Sequence, residues 1–232
     1  MSAPLFGSAR IPKRVKVLMS VILAVGLSPS VAPPQWPNSD WGLAVAIGGE
    51  LMFGLAMGMA LSFTFIACNW AGEIIGQQMG INLGEVFDPQ YGGASSFVGD
   101  LYFMLTLVTF LMLNGHHAML RGVHASFTSL PLLSVGVNAN MFNLMLQLLT
   151  AATVLAMKIA SPMLLTMLVV DLALGFIGKT MPQINVMSAG VSMKAAIGVA
   201  VLIVSLGITS TTIRNELSQS LSIVGRVWKG SI

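Results

Sequence analysis

Leu51-Met52-Phe53-Gly54-Leu55-Ala56-Met57-Gly58-Met59-Ala60-Leu61-Ser62-Phe63-Thr64-Phe65-Ile66-Ala67-Cys68 runs for 18 residues without a charge. About 20 consecutive apolar residues on a helix cross the hydrocarbon core of a bilayer, so this stretch predicts a membrane helix. Gly54 and Gly58 stand four apart within it, with Ala60 just beyond. That spacing lets helix backbones approach closely, and because it is common in apolar helices it predicts packing rather than a particular partner. Cys68 is the only cysteine. It reads as a small buried apolar residue, since one thiol can form neither a disulfide nor a cysteine metal site within one chain.

The whole chain has the same character. Of its 232 residues 55% are hydrophobic and 8% charged, and the mean hydropathy is +0.85. A soluble domain carries about 25% charged residues. So few charges cannot cover a water-facing surface, and much of the exterior must face lipid or other protein. The expected fold is therefore an all-α integral membrane protein, a single domain over 1–232, and not a soluble enzyme. The 24 glycines suit close helix packing and the 17 methionines suit gap filling. The net charge of +3 comes from eleven dispersed Lys and Arg residues. Only Arg10, Lys13, Arg14 and Lys16 cluster, directly before an apolar segment, where orienting charges belong. Nucleic-acid binding is excluded on that pattern. The same basic start has Pro29, Pro33 and Pro34 where a signal peptide would have a small-residue cleavage site, so the segment reads as retained.

Outward from the central run, five or six apolar helical segments are expected. Toward the N-terminus, a helix from Val17 should end near Gly26–Pro29, and Gln35–Trp41, with Trp36 and Trp41, reads as an interfacial loop. Toward the C-terminus, Trp70–Met79 opens an amphipathic segment, and Asp88-Pro89 with Gly92-Gly93 predicts an extended, mobile loop. Leu101–Leu113 is too short to cross a bilayer unaided. Asn114-Gly115-His116-His117 breaks it, Ala118–Leu130 resumes, and a turn covers Pro131–Asn140. Met141–Met157 and Ile159–Ile177 read as two segments bent near Ser161-Pro162. A turn over Lys179–Asn185 precedes Ala195–Ile213, and Arg214–Ile232 forms a short amphipathic basic tail. Basic residues at both ends put both termini on the cytoplasmic side.

His116, His117 and His124 invite a search for metal chemistry. Adjacent histidines on a helix point in different directions, whereas His117 and His124, seven apart, share a face. Two ligands without a third carboxylate or cysteine make a poor site, so a polar helix end with satisfied histidines is expected. The chain has no phosphate-binding Gly-x-x-x-x-Gly-Lys-Ser/Thr loop, no Gly-x-Ser-x-Gly elbow and no His-Glu-x-x-His motif. No cofactor, ATP hydrolysis or proteolysis is implied. Glu50, Lys158 and Asp171 interrupt apolar sequence, and ionisable residues in membrane segments suggest function. One reading is a proton relay in a proton-coupled secondary transporter. The other is polar contact with another chain, since Lys158 and Asp171 are thirteen residues apart and too distant to pair along a helix.

The sequence becomes specific at Ala71-Gly72-Glu73-Ile74-Ile75-Gly76-Gln77-Gln78-Met79-Gly80 and Phe87-Asp88-Pro89-Gln90. Three further stretches stand in order with these: Ala3-Pro4-Leu5-Phe6-Gly7 with Ile11-Pro12-Lys13-Arg14-Val15-Lys16, then Asn114-Gly115-His116-His117, then Met181-Pro182-Gln183-Ile184-Asn185-Val186. Together they resemble, over essentially the whole chain, the FliR family of type III secretion export-gate subunits, whose relatives also serve virulence injectisomes. One departure is that the family pattern has an additional hydrophobic segment before the Ala-Pro-x-Phe-Gly stretch, whereas Met1 here falls almost upon it. The resemblance then implies either a start placed too late or a missing first helix.

The resemblance also implies a subunit that joins FliP-like and FliQ-like subunits, with FlhB-like and FlhA-like components, in the bacterial inner membrane at the flagellar basal body. Unfolded substrates would pass through its conduit, and its helices would pack as hairpins largely outside the lipid core. On that reading the polar, Gly-rich region Glu73–Ser96 contributes to closing the conduit, with Glu73, Gln77, Gln78, Met79, Gly80, Glu85, Phe87, Asp88 and Pro89 as candidate residues. A connector between hairpins is the competing reading of the same region. Glu50, Lys158 and Asp171 become candidate intersubunit contacts.

Overall fold

The computed structural model describes residues 12–31, 33, 34, 36, 37, 39–81, 96–129, 131–133, 139–181 and 186–227. Six α-helices carry these residues: α1 (Lys13–Leu27), α2 (Asp40–Met79), α3 (Phe97–Met112), α4 (Gly115–Ser129), α5 (Ala139–Thr180) and α6 (Val186–Val227). A 3₁₀ turn over Ser28–Ser30 ends α1 where Pro29 blocks its continuation. Among the described residues three helical stretches are long and apolar enough to cross a membrane: Asp40–Met79, Met145–Thr180 and Gly190–Ser222. Phe97–Met112 and the helix after it count as a fourth only if taken together as one broken span. The fold is an all-α membrane protein.

The six helices agree with the five or six segments expected, but several are longer than their apolar runs suggested, for local reasons that can be named. α2 absorbs both the Leu51–Cys68 run and the amphipathic segment after it. It starts inside the expected Gln35–Trp41 loop, because Ser39 Oγ accepts the Gly42 N–H at 3.1 Å as an N-cap and Asp40 sits in the positively polarised first turn. α5 is one helix across Ser161-Pro162, so the expected division there is wrong. Proline removes the donor that would serve the carbonyl four residues back. Here the Ser161 hydroxyl donates to that carbonyl, Lys158 O, at 2.9 Å, so the group that would have been orphaned is satisfied. α6 likewise runs through Arg214 to Val227 rather than ending before a separate tail. The break after α3 does occur, at Leu113–Asn114, with Asn114 in the left-handed region at φ 54°.

The chain divides into two compact units. The first comprises residues 1–65, 110–151 and 216–232. In it Ala60 is packed against Met57, Met119 and Leu148. Phe65 meets Phe110 edge-on at 5.6 Å, and Gly115 lies flat against the Phe110 ring where any Cβ would collide. Thr64 Oγ1 and Ser220 Oγ share a hydrogen bond at 3.1 Å, tying α2 to the end of α6. The second unit comprises residues 66–109 and 152–215. Its interior holds Cys68, Ala71, Ile75, Val98, Tyr102, Ala156, Ala160 and Met163. Its exterior on α5 and α6 carries Leu165, Leu168, Leu172, Phe176, Ile203 and Val204, each more than half exposed. Large apolar side chains thus lie on the outside as well as the inside, the arrangement of helices surrounded by lipid or protein rather than water.

One row on α2 explains how that helix is buried. Ala56, Ala60, Thr64, Cys68, Gly72 and Gly76 recur every fourth residue and all are buried. Residues four apart form one ridge of a helix surface, so this ridge is flat along its length and admits neighbouring elements at close range.

Candidate functional site

The candidate region begins on the last two turns of α2. Gly72, Ile75, Gly76 and Met79 are buried, whereas Trp70, Gln77 and Ile81 are exposed and Glu73 and Gln78 are half-buried. The buried positions recur at three or four residues and the exposed ones at seven and four, which gives one face to the interior of the unit and one to its outside. On the inner face a Cβ at Gly72 would stand 2.5 Å from Gly99 Cα and 2.6 Å from Val98 O. The backbones of α2 and α3 therefore touch at this crossing, which only glycine permits. Ser96 caps α3 beside it, its Oγ accepting the Gly99 N–H at 3.4 Å.

Met79 and Gly80 end the helix in distinct ways. The Met79 side chain lies over Gly198 of α6, where a Cβ would overlap its Cγ and stand 3.0 Å from Met167 Cε. Gly80 adopts φ 73°, its N–H donates to Gln77 O at 3.0 Å, and the Ile81 N–H donates to Gly76 O at 3.2 Å. Those two bonds are the pair that closes a helix with a left-handed residue, and glycine is the residue that adopts this conformation without strain. Met79 and Gly80 thus fix where α2 stops and what it rests on. Glu73, Gln77 and Gln78 remain as the polar groups turned away from the interior. Glu85, Phe87, Asp88 and Pro89, the other candidates in this region, lie outside the described residues.

The isolated ionisable residues find partners inside the chain. Glu50 Oε1 accepts the backbone N–H of Leu133 at 3.0 Å, and Leu133 is held at φ 67° in the turn after α4. Asp171 on α5 pairs with Lys194 on α6. Lys158 is exposed on α5. Lys194 escaped the sequence reading because the last apolar run was cut at Ala195, immediately after it, although one more helical turn would have put it opposite Asp171. Tyr102 was also missed. Fully buried on α3, it faces the hydroxyls of Ser205 and Thr209 on α6 without closing a hydrogen bond of good geometry.

The histidines differ from expectation. The rings of His116 and His117 lie 4.2 Å apart at a 44° tilt, so neighbours in sequence lean together at the start of α4 rather than diverging. His116 Nδ1 is buried without a hydrogen-bond partner among the described residues, contrary to the satisfied helix end that was expected. Among those residues no three His, Cys, Asp or Glu side chains converge as a metal site.

Comparison with known proteins gives this arrangement its context. Residues 1–220 match the family described as Bacterial export proteins, family 1. The chain is 28% identical over 231 residues to the flagellar biosynthetic protein FliR of Bacillus subtilis, covering 95% of this chain and 86% of that protein. It is 27% identical over 202 residues to the Escherichia coli protein of the same name, covering 87% and 77%, and 28% identical over 221 residues to that of Aquifex aeolicus, covering 95% and 85%. A match that runs almost from end to end through helices and turns alike leaves one conclusion: the chain belongs to the bacterial export protein family 1.

Proposed function

We propose that this protein is a non-enzymatic subunit of the flagellar type III export gate in the bacterial inner membrane, helping to form and close the conduit for unfolded flagellar substrates. The observation that carries the reading is the similarity to flagellar biosynthetic proteins across most of their own length. Open apolar faces support it further: only 28% of the apolar stretch of α5 and 17% of that of α6 is buried within the chain. Such faces need cover, and FliP-like and FliQ-like subunits, with FlhB-like and FlhA-like components nearby, would supply it. Glu73, Gln77 and Gln78 then form the polar edge of the closure region, and Glu85, Phe87, Asp88 and Pro89 complete it. Glu50 and Asp171 serve the chain's own structure first, which weighs against a proton relay through them.

The test is export itself. Removing the gene from its native bacterium should abolish release of filament protein into the medium, and the intact gene should restore it. Normal release without the gene refutes the reading. Deleting part of 84–95 separates the two roles of the region: an assembled but ion-leaky gate supports closure, and failed assembly supports a connector.

A further inference from the structure

We propose that Asp171 and Lys194 form a charge clasp through which α5 and α6 enter the membrane as one helical hairpin. The two residues sit at matching depth. Asp171 lies nine residues before the end of α5 and Lys194 eight residues after the start of α6, about 13 Å and about 12 Å along their helices at 1.5 Å per residue. On insertion both would therefore lie near the middle of a hydrocarbon core about 30 Å thick when the end of α5 and the start of α6 lie at its edge. They are bonded to each other. Their surroundings are not those of a solvated surface pair. Leu168 and Leu172 on either side of Asp171 are 57% and 67% exposed, and Met193 beside Lys194 is 46% exposed.

An unpaired charge at that depth disfavours insertion of its helix on the order of a hundred-fold. Both helices are long and apolar enough to cross a membrane, yet each carries one such charge, of opposite sign, so each alone bears that penalty and pairing removes it from both at once. The clasp also fixes register, because sliding one helix by a turn, about 5.4 Å, would separate the two groups. The inference rests on the membrane reading of the chain and not on the export assignment.

The test uses the full chain expressed without other gate subunits, carrying Gln183→Cys between α5 and α6 and Cys68→Ser elsewhere, probed from each face of the membrane with an impermeant maleimide. The parent chain should label from a single face. D171K or K194D alone should reduce the correctly crossed fraction at least ten-fold relative to the uncrossed one. The double reversal D171K/K194D should restore it, and the doubly apolar D171L/K194L should insert as well as the parent. Single reversals that label like the parent would overturn the clasp. So would a double reversal that stays defective, which would make the site one of shape rather than charge. Loss of sidedness in the parent would remove the membrane crossing on which the clasp depends, while leaving the export assignment to its own test.

Discussion

Gly54 and Gly72 lie on the same helix and have opposite surroundings. A Cβ built on Gly54 meets nothing within 4 Å, whereas one built on Gly72 would be driven into the backbone of α3 at Gly99. Gly54 has the Gly-x-x-x-Gly spacing with Gly58 that promises close packing, yet at Gly54 itself nothing within this chain takes it up. Gly72 belongs to the every-fourth-residue row of small side chains that continues to Gly76, and that row is where α2 is buried. Small residues permit approach, but the packing partner decides whether approach occurs. The contrast separates a region whose contacts are complete within the chain from one whose contacts must come from outside.

The sharpest attempt to break this contrast is Gly72→Ala. Its methyl group cannot be accommodated by a side chain moving aside, because the obstacle is backbone, and overpacking of that kind costs about 3 kcal/mol. Thermal unfolding in detergent should show a large loss, and an unchanged midpoint would mean the helix crossing is wrong. Gly80→Ala comes next. It forces alanine into φ 73° at the end of α2, at about 1–2 kcal/mol, and should show in the same measurement as a smaller shift. Gly198→Ala should cost a similar amount, about 1–2 kcal/mol, because the nearest atom in its way is Cγ of the buried Met79 rather than the free end of a side chain.

Gly54→Ala carries the smallest expected effect and the opposite sign. With open space around it, the substitution should leave stability unchanged or raise it by up to about 1 kcal/mol through helix propensity. Gly54→Leu sharpens the comparison. If that face meets lipid, Leu is as well tolerated as Ala in the assembled gate. If a second subunit packs on it, the isolated chain tolerates Leu but the assembled particle is lost. Yields of chain and particle, measured side by side, distinguish the two.

How much of this was legible in sequence follows from what each signal encodes. The membrane class and the helical fold were written in the scarcity of charge and the length of the Leu51–Cys68 run. Helix continuity was not legible. A charge or a proline interrupts an apolar run without ending a helix, and whether the backbone carries on depends on a compensating bond such as that from Ser161 to Lys158 O. The partners of Glu50 and Asp171 were hidden for a different reason. Their contacts lie 83 and 23 residues away along the chain, at Leu133 and Lys194, and a reading of spacing along one helix cannot find a partner on another. In the candidate region, the packing of Met79 over Gly198 and the turning of Glu73, Gln77 and Gln78 away from the interior depend on contacts with other helices, which spacing along α2 does not encode.

The measurement that bears most directly on the account is purification of the tagged chain, co-expressed with its genomic neighbours in mild detergent, followed by mass spectrometry of what accompanies it. A stable particle containing FliP-like and FliQ-like membrane proteins is the predicted result, since in the proposed reading such subunits cover the open faces of α5 and α6. A stable particle containing this chain alone would contradict the gate-subunit reading and return the proton-coupled transporter to first place.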